Sequence, residues 1–318
     1  MATRPPFLRV CPIVKKDFEM ICPYCGGGHV VKYGFRRLAY GGRKRRFLCM
    51  GCKRKFSNEE GGVVAPKILL LDIETSRIKV DVFSLRVKSG YINPAFVDKD
   101  WFVISWAAKW LCKSEIMSDV VIPKKARERN DTKIIKSMWG LMDEADIIIA
   151  HNGKGFDIKK LNTRFILQNF PPPMEYKVVD TLQIARKHFA FTSNKLDYLC
   201  EQFGFPVKKD TDMQLWVDCE SGDAKALGKM DDYCRNDVLI MEDVYMRFLP
   251  WINNHPNVGL YSEIEEPVCR NCGLEVQPSG RFWYTGANRY KAWRCDCGAV
   301  GRFKDQTYSK EKRKALTK

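Results

Sequence analysis

Acidic residues at three places in the sequence have the type and spacing of cation ligands. The first pair is Asp72-Ile-Glu74, which directly follows the apolar run at 68–71. Such a run predicts a buried strand, and side chains two residues apart in a strand point to the same face. Two carboxylates on one face repel unless a cation lies between them, and hard oxygen ligands suit Mg²⁺ or Mn²⁺. The pair predicts a divalent-metal site, although Asp-x-Glu alone is also common at exposed strand ends.

The second acid is Asp157, which follows an apolar strand and the glycine-containing turn that begins at His151. Sites of α/β proteins form where strands end. The alternative interpretation of Asp157 is an acid that stabilises the start of the next helix. For His151 we expect a structural role.

The third acid is Asp237, four residues after Tyr233 in Tyr233-Cys-Arg-Asn-Asp237. This spacing brings a phenol and a carboxylate to one face of a helix. Taken alone, the pair also fits an exposed aspartate beside a packed tyrosine.

The segment that carries these acids, from Lys67 to about Pro250, alternates strand-like runs with amphipathic helices, which predicts an α/β domain. Strands are predicted at 68–73, 102–108 and 146–150. Helices are predicted at 158–169, at 194–203 with Ser193 as a cap candidate, and at 225–248, which a break could interrupt.

The order of these motifs resembles that of the DEDD exonucleases, and the tyrosine matches their DEDDy branch. The matching residues are Asp72-x-Glu74, Asn152-x₃-Phe156-Asp157 and Tyr233-x₃-Asp237. The region from Lys67 to about Pro250 is similar to the proofreading domain of family B DNA polymerases, and Asp180-Thr-Leu182 also fits the pattern.

The resemblance implies a ribonuclease H-like fold, with a mixed central sheet and flanking helices, and 3′–5′ exonuclease activity with two Mg²⁺ or Mn²⁺ ions. Asp72 would bridge both ions, Glu74 and Asp237 would complete the first site, and Asp157 would hold the second. Tyr233 would orient the attacking water. The same resemblance makes Asn152 and Phe156 candidates for contact with nucleic acid and Asp180 a candidate support of the ligands.

Eight of the 13 cysteines form two sets of close pairs: Cys22, Cys25, Cys49 and Cys52, and Cys269, Cys272, Cys295 and Cys297. Four thiolates close one tetrahedral zinc site and hold together a module that is too small to be stable by its own core. Two β-rich zinc ribbons are therefore predicted, although Cys295 and Cys297 are separated by one residue instead of the usual two. Reduced buried cysteines or a redox pair are the alternative. The first ribbon resembles those of some transposases.

Four segments are predicted. Residues 1–66 form a basic zinc ribbon that ends in a linker near 58–62, and residues 67–264 form the catalytic domain. Residues 265–303 form a second ribbon, and residues 304–318 form a basic tail. The net charge of +16 lies in the flanks, since residues 67–264 hold 28 basic and 28 acidic residues. Basic flanks favour a polyanion, with DNA preferred over RNA. Candidate contacts in the first ribbon are Arg36, Arg37, Arg43, Lys44, Arg45 and Arg46.

Residues 1–10 lack the apolar core of a secretory signal, and no run approaches the ~20 apolar residues of a membrane span. We expect a cytoplasmic protein without a membrane partner. The residues after the exonuclease-like region are too few for a polymerase domain, so a polymerase or another repair protein would act in trans. Two alternatives stay open: a structure-specific, resolvase-like endonuclease, and a zinc-ribbon protein that binds nucleic acid without cutting it.

Overall fold

The computed structural model describes residues 22–37, 43–57, 66–84, 90–206, 211–261 and 266–316. The chain divides into two compact units. The central unit contains Lys67–Trp251, and the other unit contains the flanking segments Pro5–Pro66 and Ile252–Lys318, each with one cysteine module. The predicted linker at 58–62 and the first ten residues lie outside the described part of the chain.

The N-terminal cysteine module is an antiparallel sheet of three strands, β1 (Val30–Arg37), β2 (Arg43–Cys49) and β3 (Lys55–Ser57), in that order. Its buried core is small: Cys22, Phe47, Cys49 and Phe56. The rings of Phe47 and Phe56 stack with their centroids 5.8 Å apart. So small an apolar core needs a further cross-link to be stable.

The central unit is built on a mixed five-stranded sheet. Its strands are β4 (Ile68–Thr75), β7 (Val103–Trp110), β8 (Met117–Val120), β9 (Ile147–Ala150) and β10 (Lys177–Asp180), and the short strands β5 (Lys79–Val80) and β6 (Val97–Lys99) pair separately. The sheet order is β10-β9-β4-β7-β8. Strands β10, β9 and β4 are parallel, and β7 and β8 complete the sheet in antiparallel pairs. The predicted α/β fold with a mixed central sheet is confirmed.

The middle strand β4 explains the position of the first two acids. Leu69, Leu70 and Leu71 have no exposed surface, as expected for a central strand that is covered on both faces. The two carboxylates follow near the end of the strand, where Asp72 pairs with Ala107 and Glu74 with Ser105 on β7. These small partners leave space beside the acidic side chains.

The helices of the central unit are α1 (Pro123–Arg127), α2 (Thr132–Glu144), α3 (Asp157–Leu167), α4 (Thr181–His188), α5 (Leu196–Phe203), α6 (Met213–Ser221) and α7 (Ala224–Phe248). Helix α7 is continuous, so the break that was considered within it does not occur. Its N-cap Asp223 accepts the backbone N–H of Ala226, and its buried face packs on the sheet. Two acids of interest begin or precede helices: Asp157 begins α3, and Asp180 caps α4.

Helix α5 begins two residues later than predicted, at Leu196, and its N-cap position is Lys195. The proposed cap Ser193 was wrong, because its hydroxyl accepts only the backbone N–H of Lys195, before the first turn. The helix ends at Gly204, whose positive φ of 68° suits a left-handed C-terminal position.

The C-terminal cysteine module has a second antiparallel sheet, β11 (Pro278–Tyr284), β12 (Arg289–Arg294) and β13 (Val300–Gln306), followed by α8 (Lys310–Lys314). Trp293 is buried and lies opposite Gly301. A Cβ atom at position 301 would come within 2.2 Å of the Trp293 ring, so glycine is required there. Among the described residues, no helix of either unit has the length and apolarity of a membrane span.

Candidate active site

Three carboxylates from two elements meet beside the middle strand of the central sheet. Asp72 and Glu74 come from β4, and Asp237 comes from α7. One ligand oxygen from each lies within 4.8 Å of the other two. Asp237 is buried, whereas Asp72 and Glu74 are half-buried. Strand and helix therefore bring together acids that are far apart in the sequence.

The donor set fits a hard divalent cation. Oxygens that share a Mg²⁺ ion at ~2.1 Å lie at most ~4.2 Å apart, and Ca²⁺-like distances allow slightly more. The observed limit of 4.8 Å is close to that range. Three ionised carboxylates this near to each other repel one another, and a cation between them relieves the repulsion.

Asp157 lies next to this group but is not part of it. Its Oδ1 accepts the backbone N–H of Ile73 at 3.2 Å, and Ile73 is the residue between the two acids of β4. Burial raises the pKa of Asp157 to about 7; backbone hydrogen bonds oppose this rise, and the charge of Asp180 adds to it. A nearby cation would favour the ionised form of this carboxyl.

Tyr233 lies one turn before Asp237 on the same face of α7, and both side chains are buried. Its ring meets the edge of Trp216, with 6.2 Å between centroids. Together with Asp72, the two residues line a cleft of about 730 Å³. Polar and basic side chains complete the lining, among them Asn152, Arg186, Ser193, Asn194 and Lys195.

A buried carboxylate holds the turn that borders this cleft. Asp180 accepts the backbone N–H groups of Asn152 and Lys154, at 3.1 and 3.0 Å. It also accepts those of Leu182 and Gln183 at the start of α4. Since Asp180 is 3% exposed, its charge is compensated mainly by these four donors. The side chain thus fixes the turn after β9 to the helix after β10.

The sequence of this turn reflects its close packing. Asn152 has a positive φ of 71°, which asparagine tolerates better than most residues. A Cβ atom on Gly155 would lie 2.5 Å from Oδ1 of Asn152. Phe156 is half-buried against the core, so only part of its ring is open to a ligand.

His151 connects two segments around the cleft, as its expected structural role requires. Its Nδ1 lies 2.9 Å from the hydroxyl of Thr181, and its Nε2 lies 3.0 Å from the carbonyl of Asn194. The imidazole therefore holds the loop before α5 against the start of α4.

Cys234 is a contributor that the sequence did not indicate. Its Sγ lies 3.3 Å from both the backbone oxygen and Oδ2 of Asp72. Burial raises the pKa of Cys234 well above that of a free thiol, and the charges of Asp72 and Glu74 raise it further. The neutral S–H group therefore donates to Asp72. The only sequence signal is its place next to Tyr233 on the buried face of the helix.

The eight paired cysteines form two clusters of four, as predicted. In the first, the Sγ atoms of Cys22 and Cys52 are 3.5 Å apart, and those of Cys25 and Cys49 are 3.6 Å apart. In the second, Cys269 and Cys297 are 3.8 Å apart, and Cys272 and Cys295 are 3.5 Å apart. Tetrahedral Zn–S bonds of ~2.3 Å require about 3.8 Å between sulfurs, so both clusters fit a zinc ion.

The basic residues of the first module are described in part. Arg46 and Lys55 both approach the half-exposed ring of Tyr33, at 5.9 and 4.1 Å from its centroid. The other predicted cations sit in the paired strands β1 and β2, but their side chains lie outside the described part: Arg36, Arg37, Arg43, Lys44 and Arg45.

Comparisons with known proteins give one family match and one structural similarity; only the family match bears on the fold. A family model described as the RNase_H superfamily matches residues 111–249, which include Asp157, Tyr233 and Asp237 but begin after Asp72 and Glu74. The chain is also similar to the family B DNA polymerase from the hyperthermophilic archaeon Pyrobaculum calidifontis, at 17% identity and a TM-score of 0.42. That alignment covers 58% of this chain and 25% of the polymerase. No curated protein matches the sequence. The mixed sheet with its flanking helices, together with the family match, identifies the central unit as an RNase H-like domain.

Proposed function

We propose that the central unit is a divalent-metal-dependent 3′–5′ exonuclease that acts on nucleic acid, with DNA preferred to RNA. One observation carries the proposal: the ligand oxygens of Asp72, Glu74 and Asp237 lie within 4.8 Å of one another. Beside them lie a buried fourth acid, Asp157, and a phenol on the wall of an open cleft, Tyr233.

In this proposal Asp72, Glu74 and Asp237 would hold one Mg²⁺ or Mn²⁺ ion, and Asp72 with Asp157 would hold a second. Bound in pairs, such ions supply a hydroxide nucleophile at neutral pH and stabilise the leaving 3′ oxygen. The buried position of Asp157 and its hydrogen bond to Ile73 support this arrangement, because they keep the carboxyl beside β4.

Tyr233 orients the attacking water through its hydroxyl. A phenol has an ordinary pKa near ~10, so it serves better as a hydrogen-bonding group than as a base at neutral pH. The ring packs against Trp216, and Tyr233 lines the same cleft as Asp72 and Asp237, which supports this role for the hydroxyl.

The cleft suits a strand terminus. Arg186 and Lys195 supply positive charge for phosphates, and Asn152 and Asn194 supply amide groups for sugar or base edges. The basic residues of the N-terminal module would strengthen binding of the nucleic acid. Their contacts with phosphates release counterions and do not depend on the base sequence.

A cleavage assay with labelled substrates tests this function. The protein is incubated with Mg²⁺ or Mn²⁺ and 5′-labelled DNA or RNA, in linear, 3′-blocked and circular forms. An exonuclease produces a ladder from free 3′ ends only, and Asp72→Ala abolishes it. Cutting of circles would replace the proposal with an endonuclease. Binding without any cleavage would reduce the domain to a nucleic-acid-binding module.

A further inference from the structure

The sheet β11–β13 of the C-terminal module exposes an unusual run of aromatic side chains. Every residue of β11 is exposed. Three consecutive rings belong to this strand, Phe282 and Trp283 at 42% exposure and Tyr284 at 65%. Adjacent exposed aromatic residues at one place on a surface indicate a binding role more often than isolated ones do.

The strand register shows which of these rings share a face. Trp283 pairs with Tyr290, and Ala292 pairs with Arg302. Residues in directly opposed positions lie on the same face of a sheet, and so do residues two positions apart on one strand. Trp283, Tyr290, Ala292 and Arg302 therefore lie together, and we call this surface the Trp283 face.

Two features of the Trp283 face suit a nucleotide. The guanidinium of Arg302 lies 3.7 Å from the ring centroid of Tyr290, so the ring holds it in place while its outer N–H groups remain open. Trp283 offers a broad indole surface directly opposite Tyr290, and the small side chain of Ala292 next to Tyr290 adds little bulk to the same face. The face thus combines a fixed phosphate donor with a ring on which a base can stack.

The charge of the sheet strengthens this interpretation. It carries six basic residues: Arg281, Arg289, Lys291, Arg294, Arg302 and Lys304. Within the described ranges, none of the six lies within 4.0 Å of a carboxylate oxygen. In the central unit, by contrast, the buried Glu220 is paired with Arg77 and Arg129. Uncompensated cations on a small sheet favour a polyanionic partner.

We propose that the Trp283 face binds single-stranded nucleic acid, with one base stacked on Trp283 and a neighbouring phosphate bound by Arg302. Stacking on an aromatic side chain requires an unpaired base, because a duplex keeps its base faces inside its own stack. The surface extends the proposed function with a second binding site, and its test depends on binding and not on cleavage.

The experiment measures the fluorescence anisotropy of labelled oligonucleotides with the full chain. The Asp72→Asn background prevents degradation, and chelators are omitted so that zinc is retained. Probes are single-stranded DNA, single-stranded RNA and duplex DNA of one length. Trp283→Ala should weaken binding of either single strand roughly tenfold and leave duplex binding nearly unchanged. Trp283→Phe, which keeps a ring, should lose less.

Matched variants separate this surface from general charge and from misfolding. Phe282→Ala removes a ring from the opposite face of the same strand, where Arg289 covers it at 4.3 Å, and should leave affinity unchanged. Arg302→Ala should weaken binding and lower the salt slope by about one. Zinc content reports whether each variant is folded.

The inference is overturned if Trp283→Ala has no effect in a zinc-loaded protein, or if single-stranded and duplex binding fall equally. It fails separately from the proposed function. A chain that binds as expected but cuts nothing retains this surface and refutes the exonuclease. If the protein cuts from 3′ ends but Trp283→Ala binds single strands as well as the unsubstituted protein does, only the proposed binding surface is refuted.

Discussion

The carboxylate of Asp157 accepts the backbone N–H of Ile73, a residue 84 positions earlier in the sequence. Because Ile73 separates Asp72 from Glu74, this one hydrogen bond fixes the start of α3 to the strand that carries both acids. The position of Asp157 relative to Asp72 and Glu74 is therefore set by the fold and does not depend on a bound cation.

Divalent cations should stabilise the central unit. Binding to the folded state alone adds ~2.7 kcal/mol when free cation exceeds Kd about 100-fold. Asp237→Asn should abolish the rise in melting temperature with Mg²⁺ or Mn²⁺, because it removes one of three clustered ligands. Asp232→Asn changes an exposed acid of the same helix and should keep the full shift. Equal shifts in the two variants would refute the cation site.

Tyr233→Phe should lower kcat by about tenfold to a hundredfold with a small change in stability. The substitution removes only the hydroxyl, and the ring keeps its packing against Trp216. Positioned hydrogen-bonding groups commonly contribute rate factors of this order. Tyr245→Phe is the control, since Tyr245 is a fully buried tyrosine of α7 that does not line the cleft. Single-turnover cleavage measures the step, and wild-type rates in Tyr233→Phe would exclude the assigned role.

Glu220→Gln should destabilise the central unit in a pH-dependent way. Burial alone would raise the pKa of Glu220, but the hydrogen bonds and charge of Arg77, with the charge of Arg129, outweigh it and the pKa lies below its ordinary value. The ionised carboxylate therefore stabilises the fold above about pH 4.5, and this contribution is lost as pH falls through the lowered folded-state pKa.

At neutral pH we expect the free energy of unfolding to fall by roughly 3 kcal/mol, because the variant removes a buried carboxylate and leaves the partly buried Arg129 without its ion pair. Denaturant titrations should show that the difference in free energy of unfolding between the variant and the wild type becomes smaller as the pH is lowered. Glu144→Gln provides the comparison: its carboxylate pairs with Lys67 at 2.6 Å but is 52% exposed, so the change should be at most about 1 kcal/mol. A pH-independent loss for Glu220→Gln would contradict the linkage.

Metal analysis should find about two zinc ions per chain, one for each cluster of four thiolates. Cys272→Ser should reduce the content to about one, because a closed structural site needs its fourth ligand. Cys219→Ser is the matched control. Burial raises the pKa of Cys219 to about 12, so this residue of the central unit stays a thiol. Zinc loss in both variants alike would refute the assignment.

Asp180→Ala should damage the cleft more than Asp180→Asn. Alanine leaves four backbone N–H groups without their acceptor, whereas asparagine retains an acceptor oxygen. We expect KM for an oligonucleotide to rise in both variants, with a larger rise for alanine. If KM is unchanged in folded Asp180→Ala, the turn at Asn152 does not contact the substrate.

The buried strands and the long helix were readable from the sequence because their patterns are strong. The apolar run before Asp72 and the spacing of Tyr233 from Asp237 predicted the elements that bring these residues together, and the eight paired cysteines predicted their own two clusters. Functional groups with a fixed local spacing can therefore be recognised directly in the sequence.

Other parts of the site could not be predicted from the sequence, because they depend on tertiary contacts. Nothing local in the sequence shows that Cys234 donates to Asp72, or that Asp180 collects N–H groups from two separate segments. The start of α5 was missed for a related reason: Ser193 has the composition of a cap, but the backbone becomes helical only after Lys195. The directionality of cleavage and the identity of the ions stay predictions.

The wide sequence separation of the acids has a consequence for the growing chain. Cys234, which contacts Asp72, follows it by 162 residues, and Asp237 lies further along the same helix. A chain that has left the ribosome only as far as α6 holds three of the four acids but not the helix that completes the group. Nascent or prematurely terminated chains therefore lack the full set of candidate ligands, and the group of acids that could hold a cation forms only when α7 has been synthesised and has packed on the sheet.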